Sequence, residues 1–455
     1  MNRRAGLIGL FAAETVSRIG SRMSMVALPW FVLVLTGSPA KAGVMAFAEM
    51  LPYVLGCALG GPLLDRVGVR RASIAADAVS AVAVAGIPLL YRSGHLGFGA
   101  LLAAVAVAGL LRALGDTSKQ AIFGQIVPDS GMDLTRATGL QDGLSRLSGM
   151  LGAPLAGLLI AALDAPTVLL IDAATFAFGA LVVLLAVPAR RSTSAPVAAQ
   201  ASVDGPASVD ESAAAGGSAG APAESYLESL RTGWRFIRRE RIVLAISIMV
   251  VLTNLFDQAY SAVLAPVWAR DVVGSAAALG LLFGLTGLGA VLGNLVFVAI
   301  APRVPRWSVF AFGFLIGGSP RMFATAFATE PWLVYLVTFA GGIALAGLNP
   351  ILGAVLYERV PAALRTRVLG MSQAMSWAGI PLGGLLGGAL VTAIGLRVSL
   401  VVFAAAYLLT TLLPFVDRTW RQLDDRPAAG GLGSAEGDRP AEGNRLAEGE
   451  PAHVR

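Results

Sequence analysis

Twelve stretches of this chain stay apolar for about twenty residues at a time, the length at which a helix crosses the hydrocarbon core of a bilayer. They run from Leu7 to Leu35, Ala42 to Leu64, Ala72 to Leu90, Phe98 to Phe123, Thr138 to Leu163, Thr167 to Val187, Ile242 to Trp268, Ala276 to Ala301, Ser308 to Phe327, Trp332 to Tyr357, Val368 to Ile394 and Ser399 to Phe415. A backbone in lipid must satisfy its own hydrogen bonds, so only helices and closed barrels span it. Barrel strands alternate in polarity, and runs such as Leu181 to Val187 do not. The expected fold is an all-α polytopic membrane protein of twelve transmembrane helices. Composition agrees: 56% of residues are hydrophobic and 14% charged, far from the balance of a soluble chain.

The pattern Gly-x-Pro-Leu-x-Gly-Leu-Leu occurs at Gly152, Pro154 and Gly157 and again at Gly379, Pro381 and Gly384. Two copies inside membrane runs mark an internal repeat, and repeats of this size place substrate sites between halves. The chain divides into a six-helix bundle over 1–188, a hydrophilic connection over 189–241, a second six-helix bundle over 242–416 and a tail over 417–455. The connection from Ser192 to Ala223 is rich in Ala, Ser, Gly and Pro and is expected to be a flexible linker. Near 226–241 the spacing of Tyr226, Leu227, Leu230, Trp234 and Ile237 among arginines predicts an amphipathic helix at the membrane surface. The tail carries a low-complexity repeat at Ala435, Ala441 and Ala447 and is expected to be disordered.

Arginine assigns the sides. Arg3, Arg4, Arg66, Arg70, Arg71, Arg136, Arg190, Arg191, Arg303, Arg306, Arg359, Arg365, Arg367, Arg418 and Arg421 fall on one face, and only Lys41, Arg92, Arg270 and Arg397 on the other. Positive loops stay in the cytoplasm, so both termini are expected there, in a bacterial inner membrane. The net charge of +6 thus reports topology rather than nucleic-acid binding. Cys57 is the one cysteine, and His95 and His453 lie in separate non-membrane segments, so no metal site, cofactor site or intrachain disulfide is expected. The basic N-terminus leads into an apolar run that passes a full span and carries Glu14, Arg18 and Arg22, which reads as a first helix and not a cleaved signal.

Ionisable groups at membrane depth are costly and face cavities or partners. Glu14, Arg18 and Arg22 recur every four residues on one stripe, with Glu14 and Arg18 spaced to pair. Arg112 and Asp116 in the fourth run, and Asp142 and Arg146 in the fifth, carry the same spacing. Asn254, Asp257 and Gln258 cluster in the seventh. Each set reads either as a transport site or as a neutralised structural pair. Glu49, Asp77 and Asp172 are expected to pair within the bundle, and Asn349-Pro350 to break or kink the tenth helix.

At the end of the second run stand Gly61, Asp65, Arg66, Gly68, Arg70 and Arg71 in the order Gly-Pro-Leu-Leu-Asp-Arg-Val-Gly-Val-Arg-Arg. This resembles the loop 2–3 signature of the major facilitator superfamily, with Val69 where a basic residue is usual. Glycines there permit a tight turn, while the aspartate and arginines suit charge pairs at helix ends. The second-half counterpart keeps Gly293, Arg303 and Arg306 but lacks the aspartate. Ser17-Arg-Ile-Gly20, Ala27-Leu-Pro29, Thr36-Gly-Ser-Pro39, the Val127-Pro128 to Ala137 loop and Glu358-Arg-Val-Pro361 resemble the transmembrane secretion effector branch, which includes macrolide-efflux-like and siderophore-exporter-like proteins. Arg112 to Gly115 and Gly149 to Gly157 resemble two further superfamily patterns, the first one residue short and the second with Ala153 inserted. The resemblance covers roughly Leu7 to Phe415 and implies the major facilitator fold, with helices 1, 4, 7 and 10 lining a central cavity. It also implies proton-coupled export by alternating access. Glu14, Arg18, Arg112, Asp116, Asn254, Asp257 and Gln258 become candidates for coupling or substrate contact.

Other classes fit less well. Neither Lys41 nor Lys119, the two lysines, follows glycine as a nucleotide-binding loop requires. The chain also lacks a His or Cys cluster, and its one Gly-x-Ser-x-Gly string, Gly216 to Gly220, falls in the Ala-, Ser- and Gly-rich connection and not at a strand-to-helix elbow, so an enzyme is not expected. The expected partners are a small amphipathic substrate, protons and membrane lipid, and a monomer suffices. Lipid or lysophospholipid movement, solute uptake and a non-transporting receptor remain as alternatives.

Overall fold

The computed structural model describes residues 3–188, 226–361 and 364–425. Among them are twelve membrane-length apolar helices, here spans 1 to 12: Gly6–Thr36, Pro39–Leu59, Val69–Arg92, Phe98–Ser130, Leu134–Ala162, Ala165–Ala186, Arg241–Val273, Ala276–Ile300, Arg306–Phe327, Pro331–Arg359, Arg367–Ile394 and Leu396–Val416. Each apolar run read from the sequence falls on one span, except that the second, read through Leu64, ends at Leu59, where Gly60 and Pro62 start a separate short helix. Spans 4 and 5 outrun their apolar cores by several residues, because hydrogen-bonded helix continues past the hydrocarbon once a cap is available; Gly131 at φ 71° ends span 4 and the Asp133 side chain caps span 5.

Within each half the packing repeats. Span 1 lies on spans 5 and 6, span 2 on span 4, and span 3 on spans 4 and 6; in the second half span 7 lies on span 11, span 8 on span 10, and span 9 on spans 10 and 12. Between halves the main contacts are span 2 on span 11 and span 5 on span 8. Large apolar side chains such as Val82, Leu185, Val298 and Leu409 stand exposed around the outside, where acyl chains cover them.

Lipid is as apolar as leucine, so helix association relies on close backbone approach at small residues. The Gly-x-Pro repeat supplies that twice. Gly152 abuts Ile19 and Arg22 of span 1, and Gly379 abuts Val251 and Leu255 of span 7. Gly157 meets Gly280 of span 8, and Gly384 meets Gly43 and Ala46 of span 2. Pro154 packs into the space over Gly284. The two copies therefore make equivalent contacts in the two halves and form both inter-half seams. Both seams lie toward the ends of the spans remote from the chain termini, called here the far side.

Several spans are interrupted where the sequence withholds a backbone donor. Span 9 breaks at Gly318, ahead of Pro320, with the Tyr407 ring filling the space a side chain would need. Span 10 breaks at Ala346 and Gly347, which puts Pro350 in the first turn of the next helix, where its missing N–H leaves no gap. The expected interruption at Asn349-Pro350 is thus real but begins three residues earlier. Span 7 carries two π-helical turns, Tyr260–Leu264 and Ala269–Val273.

The loop after span 2 forms a short helix, Gly61–Val67, closed by Gly68 at φ 87°. Tyr226–Arg239 is helical and packs on the first part of span 11, with Ile237 buried and Gly233 against the Arg367 backbone. Arg418–Leu423, counted with the tail in the sequence analysis, is a 3-10 turn with Trp420 and Leu423 buried. The expected linker from Ser192 to Ala223 and the repeats from Ala435 onward lie outside the described residues.

Candidate functional site: three polar clusters within and between the halves

The candidate residues separate into three groups. In the first, Arg18 Nη2 meets Glu14 Oε1 at 2.5 Å, Gln141 donates to both Glu14 oxygens at 3.2 Å, and Arg18 Nη1 donates to Ser145. The pair is locked between spans 1 and 5, and the crevice it lines leaves no room for a water molecule.

The second group joins spans 2 and 4. Spacing along one helix predicts an Arg112–Asp116 pair; instead, Arg112 Nη1 donates to Glu49 Oε1 across the bundle at 2.9 Å and stacks over the Tyr53 ring at 4.7 Å. Gly109 brings the two helices together here, since any side chain would strike the Glu49 carbonyl. Asp116 is left with the Tyr53 hydroxyl, 3.4 Å away. The group carries two carboxylates against one guanidinium. Tyr53 also reaches the other half: its ring stacks on Trp377 of span 11 at 5.8 Å. Asn254 of span 7 donates to the carbonyl of Ser376, next to Trp377, at 2.9 Å. One end of the seventh-run cluster therefore touches the same joint, and Gln258 stands beside it against Gly383.

The third group is inside the second half. Asp257 pairs with Arg321 of span 9, whose guanidinium lies 5.0 Å from the Tyr260 ring centre. Tyr260 shares a hydrogen bond with Thr325 at 2.9 Å. Arg321 was not singled out by the sequence reading, although a lone arginine inside the ninth apolar run was a visible signal. Break and charge belong together: Gly318 and Pro320 end one helix and start the next so that Arg321 faces span 7.

The loop 2–3 residues take different roles. Arg70 donates to the Leu184 and Val187 carbonyls, both at 2.7 Å, and so caps the end of span 6. Asp65, Arg66 and Arg71 are exposed, and Asp65 makes no ion pair among the described residues. In the second half, Arg306 grips Glu358 at 2.6 and 2.8 Å, so a charge pair exists there without the aspartate. Outside the spans, Asp164 is held below the usual carboxylate range by hydrogen bonds from Thr167, which it caps at the start of span 6. Among the described residues no group of three His, Cys, Asp or Glu is placed to hold a metal.

Two six-helix halves related by a repeat, joined along glycine seams with polar groups between them, define the architecture of a secondary transporter. Comparison with known proteins agrees. The sequence pattern of the Major Facilitator Superfamily matches residues 10–258 and 246–447, and the chain belongs to that family. It is 27% identical over 431 residues to the multidrug efflux pump Tap of Mycobacterium tuberculosis, covering 94% of this chain and 97% of that protein. To Tap of Mycolicibacterium fortuitum it is 26% identical over 430 residues, covering 92% and 97%. Among solved structures it resembles the nucleoside transporter NupG (TM-score 0.71, 15% identity, 90% of this chain and 99% of that one). It also resembles a bacterial homolog of the human lysosomal transporter Spinster, inward-facing and unoccupied (TM-score 0.66, 16% identity, 94% and 99%). The protein is a multi-pass membrane transporter.

Proposed function

We propose that this transporter exports amphipathic small molecules by proton-driven alternating access, from the terminus-bearing side to the far side. The observation that supports it most is the Glu49–Tyr53–Arg112–Asp116 group meeting Trp377 at the joint between halves. Stacked Tyr53 and Trp377 offer an aromatic wall to a flat hydrophobic substrate. Asp116, the carboxylate in excess, offers either a proton site or a counter-charge for a cation. Efflux by the Tap relatives supports the direction. The arginine asymmetry supports a cytoplasmic position for both termini of an inner-membrane exporter; this reading needs only one copy of the chain. Glu14, Arg18, Asp257 and Arg321 act in this reading as the fixed pairs that hold each half rigid while the halves rock.

The test is accumulation of a compound panel in cells and proteoliposomes, with the proton gradient intact and then collapsed by a protonophore. Asp116→Asn is expected to keep substrate-for-substrate exchange and lose gradient-driven accumulation. Loss of neither, or wild-type transport indifferent to the protonophore, overturns the coupling. Uptake that runs down the gradient would favour a symporter instead.

A further inference from the structure

Asp172 lies inside the first half, on span 6, with a relative exposure of 1%. Its surroundings are unusual for a carboxylate. Among the described residues it has no ion pair; its side chain meets only the hydroxyls of Ser24 and Thr175. Ser24 donates to Oδ2. The Thr175 hydroxyl has one hydrogen for two acceptors, and the backbone carbonyl of Asp172 at 2.7 Å is the better placed, the carboxyl oxygen Oδ1 standing at 3.2 Å. With that hydrogen committed, the Thr175 oxygen faces Oδ1 as an acceptor. Two acceptors then confront each other in a closed space, and one proton on Oδ1 resolves the contact: Asp172 donates to Thr175 while Oδ2 accepts from Ser24. Every polar atom is satisfied by a neutral acid, whereas a buried carboxylate would be left with a single donor and no counter-ion.

The neighbouring charges do not supply that counter-ion. From span 1, Gly20 and Ser24 face Asp172, and Gly20 lets the helix approach because a side chain there would strike Asp172 and Thr175; Ser17, two turns before Ser24, accepts instead from Lys119 of span 4 at 3.4 Å. Glu14 and Arg18 turn instead to span 5, as does Arg22, beside Gly152. From span 3, Asp77 is taken by Lys119 of span 4 at 2.9 Å and sits at Gly179, seven residues along span 6 and so about 10 Å away by helix rise, while Arg92 donates to the Thr167 hydroxyl at 3.0 Å, five residues the other way toward the far side. From span 5, the charged residues Asp142 and Arg146 belong to the half nearer the termini. Arg112 is already paired with Glu49 at 2.9 Å.

We propose that Asp172 is a proton-carrying acid of the first half, neutral in this conformation, which exchanges its proton when span 1 shifts against span 6. This rests on the proton-coupled reading given above and adds a second site to it, outside the central joint. Span 1 is the natural gate, since it contributes both the Ser24 donor and the Gly20 gap, and Pro29 interrupts its hydrogen-bond ladder one turn further on.

Infrared spectroscopy of the purified full-length protein in lipid tests the acid without any substrate. Wild type at neutral pH is expected to show the carbonyl stretch of a protonated carboxyl that Asp172→Asn lacks, and Ser24→Ala is expected to move that band to higher frequency by removing its donor. The amide of Asp172→Asn repeats both hydrogen bonds, so the variant is expected to fold. Transfer to heavy water should shift the band within minutes. A band unchanged in Asp172→Asn, or one that never exchanges, overturns the proposal. In proteoliposomes, Asp172→Asn is expected to lower gradient-driven accumulation at least tenfold while substrate exchange persists. Full gradient-driven export by Asp172→Asn beside a gradient-sensitive wild type would refute the role of Asp172 alone, whereas a wild type blind to the gradient would refute proton coupling as a whole.

Discussion

Replacing Gly280 by alanine should prise open the far side. A Cβ at Gly280 would lie 2.8 Å from both the Ala153 oxygen and the Gly157 Cα, and 3.0 Å from the Gly157 nitrogen. Carbon contacts are comfortable at about 3.5 to 4.0 Å, so the two backbones must part by roughly 1 Å. Neither helix has a flexible side chain at this point to give way. Overpacking of this kind costs about 1 to 3 kcal/mol, and it falls on the conformation in which the span 5–span 8 seam is closed. A bias of that size moves a two-state equilibrium by about 5- to 150-fold. Spin labels at Ser93 and Glu330, on exposed far-side loops of the two halves, in a Cys57→Ser background, report the separation by electron–electron resonance. Gly280→Ala is expected to add a longer-distance population. Gly86→Ala, at a membrane glycine with open space around it, is the control and is expected to leave the distribution unchanged. Identical distributions for Gly280→Ala and wild type would refute the seam as the determinant of the resting state.

Further outcomes follow from particular contacts. Lys119→Met should destabilise the protein by about 3 to 5 kcal/mol, because it strands Asp77 in a site where both side chains are 3% exposed or less; the double variant with Asp77→Leu should recover most of the loss in thermal unfolding, and a double variant as unstable as the single would refute the pairing. Trp420→Ala should cost about 3 to 5 kcal/mol by removing a buried ring stacked on Phe310 at 5.5 Å, seen as a lower unfolding temperature in detergent; an unchanged midpoint would show that the turn contributes nothing. Cysteines at Ser202 and Ser434 in the Cys57→Ser background should escape an impermeant thiol reagent applied to intact cells, and labelling from outside would reverse the assigned topology.

Hydropathy made the twelve spans legible, since a bilayer demands length and apolarity and little else. The repeat at Gly152 and Gly379 was visible too, but its partners were not: that Gly157 meets Gly280, and Gly384 meets Gly43, depends on which helices face each other. The same limit explains the polar residues. Glu14 and Arg18 pair along one helix as their spacing suggests, whereas Arg112 passes over Asp116 for Glu49 on a neighbouring span. Local spacing records which side chains can meet along a helix and says nothing of competitors from elsewhere. Arg321 was legible in principle, because Asp257 has no Lys or Arg within four residues on its own helix and a lone intramembrane arginine needs a carboxylate. Asp172 was expected to pair within the bundle. That it has hydroxyls in place of a cation became visible only once spans 1 and 6 were side by side.

The glycine seams have a consequence for how such a protein can diversify. Their residues touch backbone, a methyl group and one another rather than the stacked Tyr53 and Trp377, so in the proposed reading the resting preference between conformations and the choice of cargo are written in different letters. On that reading a lineage can add one methyl group at Gly43, Gly157, Gly280 or Gly384 and retune how readily the carrier opens without touching the aromatic pair. Because both seams join the same two halves, small changes at the two add in free energy and so multiply in the opening ratio.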